Sequence, residues 1–394
     1  MNQHLTQTIA YNGFSGFDFG TTNSAIGVCT KSGEPKLVPL ENEMVIIPSA
    51  LFFEYETSRF CYGQIAKTKF IDGVEGRLLM SLKSILGTDT INTKTKINGL
   101  EFSFLELIGL IFKNILNKAE RTADREIDKV VMGRPIFFNE TDSEKDRKAQ
   151  EILTDIARQQ GIKHVEFEYE PIAAAVAYES TISHEQIALI VDIGGGTSDF
   201  SVLRLSPHHN QAGRKSDILS YKGAYLGGNS FDKQISLKYI MPSLGKDTTF
   251  MSSNKPLVVP PNLYLLFSSW HRINELYCDS IKDYIQSVMV TSKKPDLIKR
   301  FYLALEYEMG HIISSTVENA KIRLSQIPNT TIDLSIMGEK FSVDLDKNML
   351  ISSIEGELQQ LLDLVDETIE MAGLDHSDID TLFFTGGSTR FPLL

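Results

Sequence analysis

The feature that most constrains this chain is a local pattern that occurs twice. An apolar strand is closed by an acidic residue, turns through glycine and small residues, and returns as a second apolar strand. It appears first at 14–29, where Phe14, Phe17 and Phe19 lead through Asp18 into Gly20-Thr21-Thr22-Asn23, and Ala25-Ile26-Gly27-Val28 follow. It returns at 186–205, where Ile187-Ala188-Leu189-Ile190-Val191-Asp192 enters Ile193-Gly194-Gly195-Gly196-Thr197, and Asp199-Phe200-Ser201-Val202-Leu203 leaves. Each copy reads as a hairpin with a small-residue tip. Asp18 and Asp192 stand 174 residues apart, a spacing suited to a duplicated α/β domain and too long for a solenoid repeat. Two similar halves facing each other across a cleft are expected.

The rest of the chain fits that expectation. At 394 residues it exceeds the roughly 250–300 residues at which single cores stop growing. Strand-like and helix-like stretches alternate at 127–133, 143–161, 165–169 and 171–179, the order of a layered α/β domain. Helical periodicity dominates later, over 264–289, 297–324 and 354–372, and suggests a helical subdomain on the second half, at about 232–325. We expect a first lobe at 1–185 and a second at 186–394.

Composition narrows the function classes. With 42% hydrophobic and 23% charged residues, the chain sits among ordinary globular proteins. A net charge of −12 offers no electrostatic reason to bind nucleic acid or an anionic membrane. Cys29, Cys61 and Cys278 show no CxxC spacing, which argues against a disulfide framework or a zinc site and fits a cytoplasmic setting. The apolar stretch 104–116 is interrupted by Glu106, Lys113 and Asn114 and reads as a core helix, short of the roughly 20 residues of a membrane span. The N-terminus has no signal-peptide pattern. His208-His209 reads as part of a solvated loop.

A triphosphate needs backbone N–H groups that approach its oxygens closely, and glycine or small hydroxyl residues leave room for that. Both hairpin tips qualify. Each has an aspartate, Asp18 or Asp192, placed to hold a hydrated magnesium ion, which takes one or two carboxylates and several waters. A third glycine-rich turn, Thr385-Gly386-Gly387-Ser388-Thr389-Arg390, follows the apolar Thr381-Leu382-Phe383-Phe384 and suits close approach to a nucleoside, with Arg390 able to lie across a purine face.

In their order, these three motifs resemble the two phosphate loops and the adenosine loop of the actin-like ATPases, whose fold is built from duplicated ribonuclease H-like α/β domains in two lobes around a nucleotide cleft. Further stretches resemble the DnaK-type 70 kDa heat-shock chaperones. Gly63-Gln64-Ile65-Ala66-Lys67 is similar to the segment read as carrying their catalytic lysine. Glu170-Pro171-Ile172-Ala173-Ala174-Ala175 is similar to a helix start, Gly227-Gly228-Asn229-Ser230-Phe231-Asp232 to a turn, and 130–139 to the strand with a signalling proline, here Pro135.

The resemblance implies an ATP hydrolase, slow in turnover, that binds ATP and ADP with Mg2+ and leaves a K+ requirement open. It implies magnesium on Asp18 and Asp192, and catalytic roles for Lys67 (γ-phosphate and water), Glu170 (metal-bound water or signalling through Pro171), Thr197 (γ-phosphate) and Asp199 (attacking water). Gly20, Thr21, Thr22, Asn23, Gly194, Gly195 and Gly196 would line the phosphates. Gly227, Gly228, Glu318, Lys321, Ile322, Ser325, Gly386, Gly387, Ser388 and Arg390 would enclose the nucleoside. Unfolded peptides and co-chaperones are the implied protein partners.

Some positions depart from the family. Ile322 stands where an adenine-stacking arginine is usual, Asn229 replaces an acidic residue, and Gly133-Arg134 precedes Pro135 in place of Thr-Val. Arg147 and Lys145 are candidates for the basic residue that relays the proline signal. With an insertion over 256–269, these features resemble the YegD-like branch. The sequence stops at Pro392-Leu393-Leu394, so a peptide-binding β-sandwich is expected to be absent. Other readings are a small-molecule kinase of the same fold and an actin-like filament-forming ATPase.

Overall fold

The computed structural model describes residues 13–29, 34–207, 214–270, 272–334 and 341–390. His208 and His209 lie outside the described residues. The chain divides into two compact units, Met1–His184 with Ser206–His209, and Glu185–Leu205 with Asn210–Leu394.

The first unit opens with β1 (Ser15–Phe19), β2 (Asn23–Cys29), β3 (Pro35–Leu37) and β4 (Ile46–Pro48). It continues with β5 (Ala50–Glu54), β6 (Arg59–Tyr62), α1 (Gly63–Ile71), β7 (Gly76–Met80), β8 (Lys94–Ile97) and β9 (Leu100–Ser103). Then come α2 (Phe104–Ala123), β10 (Lys129–Arg134), α3 (Ser143–Gln159), β11 (His164–Tyr169) and α4 (Glu170–Glu179). The main sheet runs β11-β10-β1-β2-β3, with β4 also on β2. Here β1 is antiparallel to β2 and parallel to β10.

The expected core helix at 104–116 is the start of α2. Ser103 and Glu106 form a capping box at its N-terminus, which satisfies orphan N–H groups reciprocally. Its buried stripe, including Leu107, Ile108, Ile111, Phe112, Ile115 and Ala119, lies under β1. Phe112 meets Phe17 and Phe19 edge-on at 4.8 and 5.1 Å between centroids. Because side chains alternate along a strand, burying Phe17 and Phe19 against α2 sends Asp18 to the opposite face.

The second unit contains β12 (Gln186–Ile193), β13 (Ser198–Leu205), β14 (Ile218–Ala224), α5 (Gly228–Ile235), β15 (Thr249–Ser252) and β16 (Lys255–Val258). Next come α6 (Pro261–Phe267), α7 (Asp279–Thr291), α8 (Pro295–Glu306) and α9 (Gly310–Leu324). Last are β17 (Asn329–Asp333), β18 (Ser342–Asp346), α10 (Lys347–Met371) and β19 (Thr381–Thr385). Its sheet runs β14-β13-β12-β19, with β12 antiparallel to β13 and parallel to β19. The first strand of each acidic hairpin therefore has the same two neighbours in both units, an antiparallel return and a parallel strand. The mixed α/β architecture agrees with the fold expected from the sequence.

Two long helical stretches are broken where periodicity alone runs on. The 264–289 stretch ends α6 at Phe267, turns through Ile273–Leu276 and resumes at Asp279. Ser269 Oγ donates to the Leu265 carbonyl at 2.6 Å, and such back-bonding competes with helix continuation. The 297–324 stretch breaks at Glu308, which adopts φ 52°. There the Tyr277 hydroxyl accepts the Gly310 N–H at 2.9 Å, so a tertiary contact stabilises the bend. Tyr264 stacks on Phe301 at 4.8 Å, and Phe267 meets the same ring edge-on at 5.3 Å.

Candidate functional site

In the first unit the tip between β1 and β2 closes with the Gly20 N–H donating to the Asn23 carbonyl at 2.9 Å. A Cβ on Gly20 would lie 2.3 Å from that same oxygen, so the turn admits no side chain there. Ser49 holds the tip from behind: its hydroxyl donates to the Gly20 carbonyl at 2.7 Å, and its N–H donates to the Thr22 carbonyl at 2.8 Å. The carbonyls at 20 and 22 are thus taken by protein donors. A loop that cradles anionic oxygens needs this arrangement, with N–H groups toward the anion and carbonyls away.

Beside the tip, Lys83 Nζ meets Glu170 Oε1 at 2.5 Å, and the lysine is 7% exposed. Both charges act on Asp18. Protein crowding around its carboxyl pushes the pKa up to about 6, Lys83 pulls it down and Glu170 adds to the rise. Asp18 nonetheless keeps solvent-accessible surface, so the carboxyl is recessed while water still reaches one side. Gly133 on β10 lies alongside; a Cβ there would sit 3.3 Å from Glu170 Cγ and 3.8 Å from Asp18 Oδ1. The Gly133 departure from the family pattern therefore leaves space beside the two carboxylates.

The lysine that the structure brings to Glu170 is Lys83. Lys67 lies on α1, which packs on β5 and is capped from a distance. The Glu41 carboxylate accepts the Gln64 and Ile65 N–H groups, each at 2.9 Å. A signal for Lys83 was present in the sequence: it is the one charge in the run Leu78-Leu79-Met80-Ser81-Leu82-Lys83-Ser84-Ile85-Leu86. A charge is costly in such surroundings unless it is paired.

At the end of β10, Arg134 gathers the turn around Pro135. Its guanidinium donates to the Pro135 carbonyl (3.0 Å), the Ile136 carbonyl (3.2 Å), Gln150 Oε1 (2.5 Å) and Asp146 Oδ2 (3.0 Å). It lies 5.2 and 5.3 Å from the ring centroids of Phe138 and Tyr169. Tyr169 is the residue before Glu170. The two basic residues considered for a relay point elsewhere, Arg147 to Glu144 and Glu151 and Lys145 to Asp89.

In the second unit the tip between β12 and β13 repeats the same closure, with the Gly194 N–H donating to the Thr197 carbonyl at 2.9 Å. Two of its carbonyls are also engaged by protein. That of Gly194 accepts the Gly228 N–H (3.0 Å) and the Ser388 hydroxyl (2.9 Å), and that of Gly195 accepts the Asn229 N–H (2.7 Å). Lys321 on α9 donates to the Gly228 carbonyl at 3.0 Å and pairs with Asp232 at 2.8 Å. The structure thus brings Gly194, Gly195, Gly227, Gly228, Lys321 and Ser388 together. Lys321 acts here as a brace of the Gly227-Gly228 turn. Ile322, one residue on, is 52% exposed, and the Ser325 hydroxyl donates back to the Ile322 carbonyl.

Gly386, after β19, has φ 85°, and a Cβ would meet the Ile193 carbonyl oxygen at 2.3 Å and Asp192 Oδ1 at 2.5 Å. Gly386→Ala is expected to lower the unfolding free energy of this unit by at least about 1–3 kcal/mol, the cost of a non-glycine residue in this conformation. Urea unfolding followed by circular dichroism measures it. The side chain of Arg390 lies outside the described residues.

Asp192 and Asp199 are direct cross-strand partners. Like charges placed opposite one another are destabilising, which a bound cation would relieve. Among the described residues no group of three or more His, Cys, Asp or Glu side chains forms a metal cage. One or two carboxylates, completed by water and phosphate oxygens, is the donor set that magnesium takes, so the residues present fit that ion. On the other side, the Tyr221 hydroxyl donates to Asp199 Oδ1 at 2.5 Å, a contact with no counterpart in the sequence reading.

No helix among the described residues is long and apolar enough to cross a membrane. The family model described as Hsp70 protein matches residues 14–259 and 281–394. The unmatched span 260–280 covers α6 and the turn after it, and overlaps the insertion read at 256–269. With both acidic hairpins, the Gly227-Gly228 turn and the Gly386 turn inside the matched residues, the chain belongs to the Hsp70 family and carries its ATP-binding, nucleotide-binding region.

Proposed function

We propose that this chain is an ATP hydrolase of the Hsp70 type, in which each unit brings one phosphate hairpin to the nucleotide and turnover serves protein folding or the regulation of a partner. The observation that carries the reading is that the carbonyls at 20 and 22 in one glycine tip and at 194 and 195 in the other are taken by protein donors, which suits these loops to anionic oxygens. Asp18 and Asp192 anchor magnesium, which when bound neutralises charge on the β- and γ-phosphates. Thr197 donates to the γ-phosphate, and Asp199 accepts a hydrogen bond from the attacking water and orients it. Lys83, in place of Lys67, stabilises the charge that develops on the γ-phosphate, and Glu170 holds the Lys83 ammonium in position. Catalysis of this kind is mostly placement and electrostatics.

Calorimetric titration of ATP with and without magnesium tests the anchors. Asp18→Asn and Asp192→Asn are each expected to abolish most of the magnesium-dependent gain in affinity; an unchanged gain in both variants would remove the assignment. A single-turnover phosphate-release assay on the unmutated chain separates hydrolysis from nucleotide retention without turnover.

A further inference from the structure

We infer that Tyr221 is a positioning residue for hydrolysis, holding the Asp199 carboxylate in the rotamer that orients the attacking water. The inference rests on the role proposed above for Asp199.

The geometry is set by the sheet. On β14 the residue directly opposite Asp199 is Gly223, and Tyr221 stands opposite Ser201. Tyr221 is therefore the diagonal neighbour of Asp199 on the same face, a separation of about 7–8 Å between such positions that an aromatic side chain can span. Gly223 has no side chain to occupy the space between, so the phenol lies along the sheet and its hydroxyl reaches Asp199 Oδ1 at 2.5 Å. A phenol has one hydrogen to donate. Giving it to Oδ1 directs that oxygen toward β14 and thereby sets where the second oxygen points.

The hydroxyl meets a need the local structure creates. Asp199 faces Asp192 across the hairpin, and mutual repulsion favours rotamers that turn the Asp199 carboxylate away. A charge-assisted hydrogen bond from one side opposes that rotation. An oriented acceptor matters because small misplacements of a reacting group cost rate steeply.

Tyr221→Phe keeps the ring and removes the donor. Loss of a hydrogen bond to a charged group is expected to lower the single-turnover rate constant about tenfold, with the calorimetric Kd for ATP within about twofold of the parent. Asp199→Asn sets the reference, and the double variant Asp199→Asn with Tyr221→Phe is expected to match Asp199→Asn alone within about twofold, because Tyr221 acts only through that carboxylate. A merely structural tyrosine would instead give multiplying losses. Tyr221→Leu, which removes the ring as well, is expected to show the same rate as Tyr221→Phe. A Tyr221→Phe rate within twofold of the parent, or multiplying losses in the double variant, overturns the inference and leaves the ATPase reading standing. A parent without hydrolysis overturns both, and an Asp199→Asn variant with unchanged rate overturns the inference together with the role proposed for Asp199.

Discussion

Lys83→Ala is expected to slow single-turnover ATP hydrolysis about 10²–10³-fold, the usual effect of removing one preorganised electrostatic stabiliser, while ATP affinity changes by far less. The lysine is 7% exposed and its ammonium is engaged by Glu170 at 2.5 Å, beside the aspartate that we propose anchors magnesium. Removing it leaves a carboxylate pair, Asp18 and Glu170, without the cation that offsets their repulsion. Lys83→Arg is expected to recover little, since the wider, planar guanidinium cannot replace a point charge in a packed turn. Lys67→Ala on α1 is the contrasting variant, and its rate is expected to stay within about threefold of the parent. A slow Lys67→Ala with a normal Lys83→Ala would return the catalytic role to Lys67. Phosphate release under single turnover reads the rate, and calorimetry reads the affinity.

Arg134→Met is expected to destabilise the first unit by about 3–5 kcal/mol, the cost of breaking a buried ion pair from one side. The guanidinium and its partner Asp146 are 11% and 17% exposed. Removing the arginine leaves the Asp146 carboxylate unpaired and the Pro135 and Ile136 carbonyls short of donors. For a unit of this size the loss corresponds to a melting temperature lower by about 10 °C. Asp146→Asn alone is expected to cost less, because its amide oxygen still accepts the Phe138 N–H that Asp146 Oδ1 now accepts at 2.6 Å. The double variant should fall short of the sum of the singles, as residues in one network do. A melting temperature for Arg134→Met within 2 °C of the parent would show that solvent or a neighbour replaces the lost contacts.

The sequence alone determined the repeated design. The acidic strand ends, the glycine tips at Gly20 and Gly194 and the glycine turn at Gly386 are local features, dictated by which side chains a tight turn admits, and local rules read them. The core helix over 104–116 was legible in the same way, since its apolar stripe lies within one helix length, while the capping box at Ser103 and Glu106 was added by the structure. Family membership followed from the order of these motifs.

Only the tertiary structure decided which lysine meets Glu170, what holds the Pro135 turn and what faces Asp199. Lys83 and Glu170 are 87 residues apart, Asp199 and Tyr221 are 22 apart, and Arg134 and Asp146 are brought together by the return of α3 toward β10. Periodicity likewise ran past the breaks at Ser269 and Glu308, because the Tyr277 contact that stabilises the second bend comes from a turn 33 residues away. A short-range pattern fixes backbone shape and burial. The partner of a buried charge is chosen by whichever distant element packing brings within hydrogen-bonding reach, since an unpaired charge in the interior is too costly to remain.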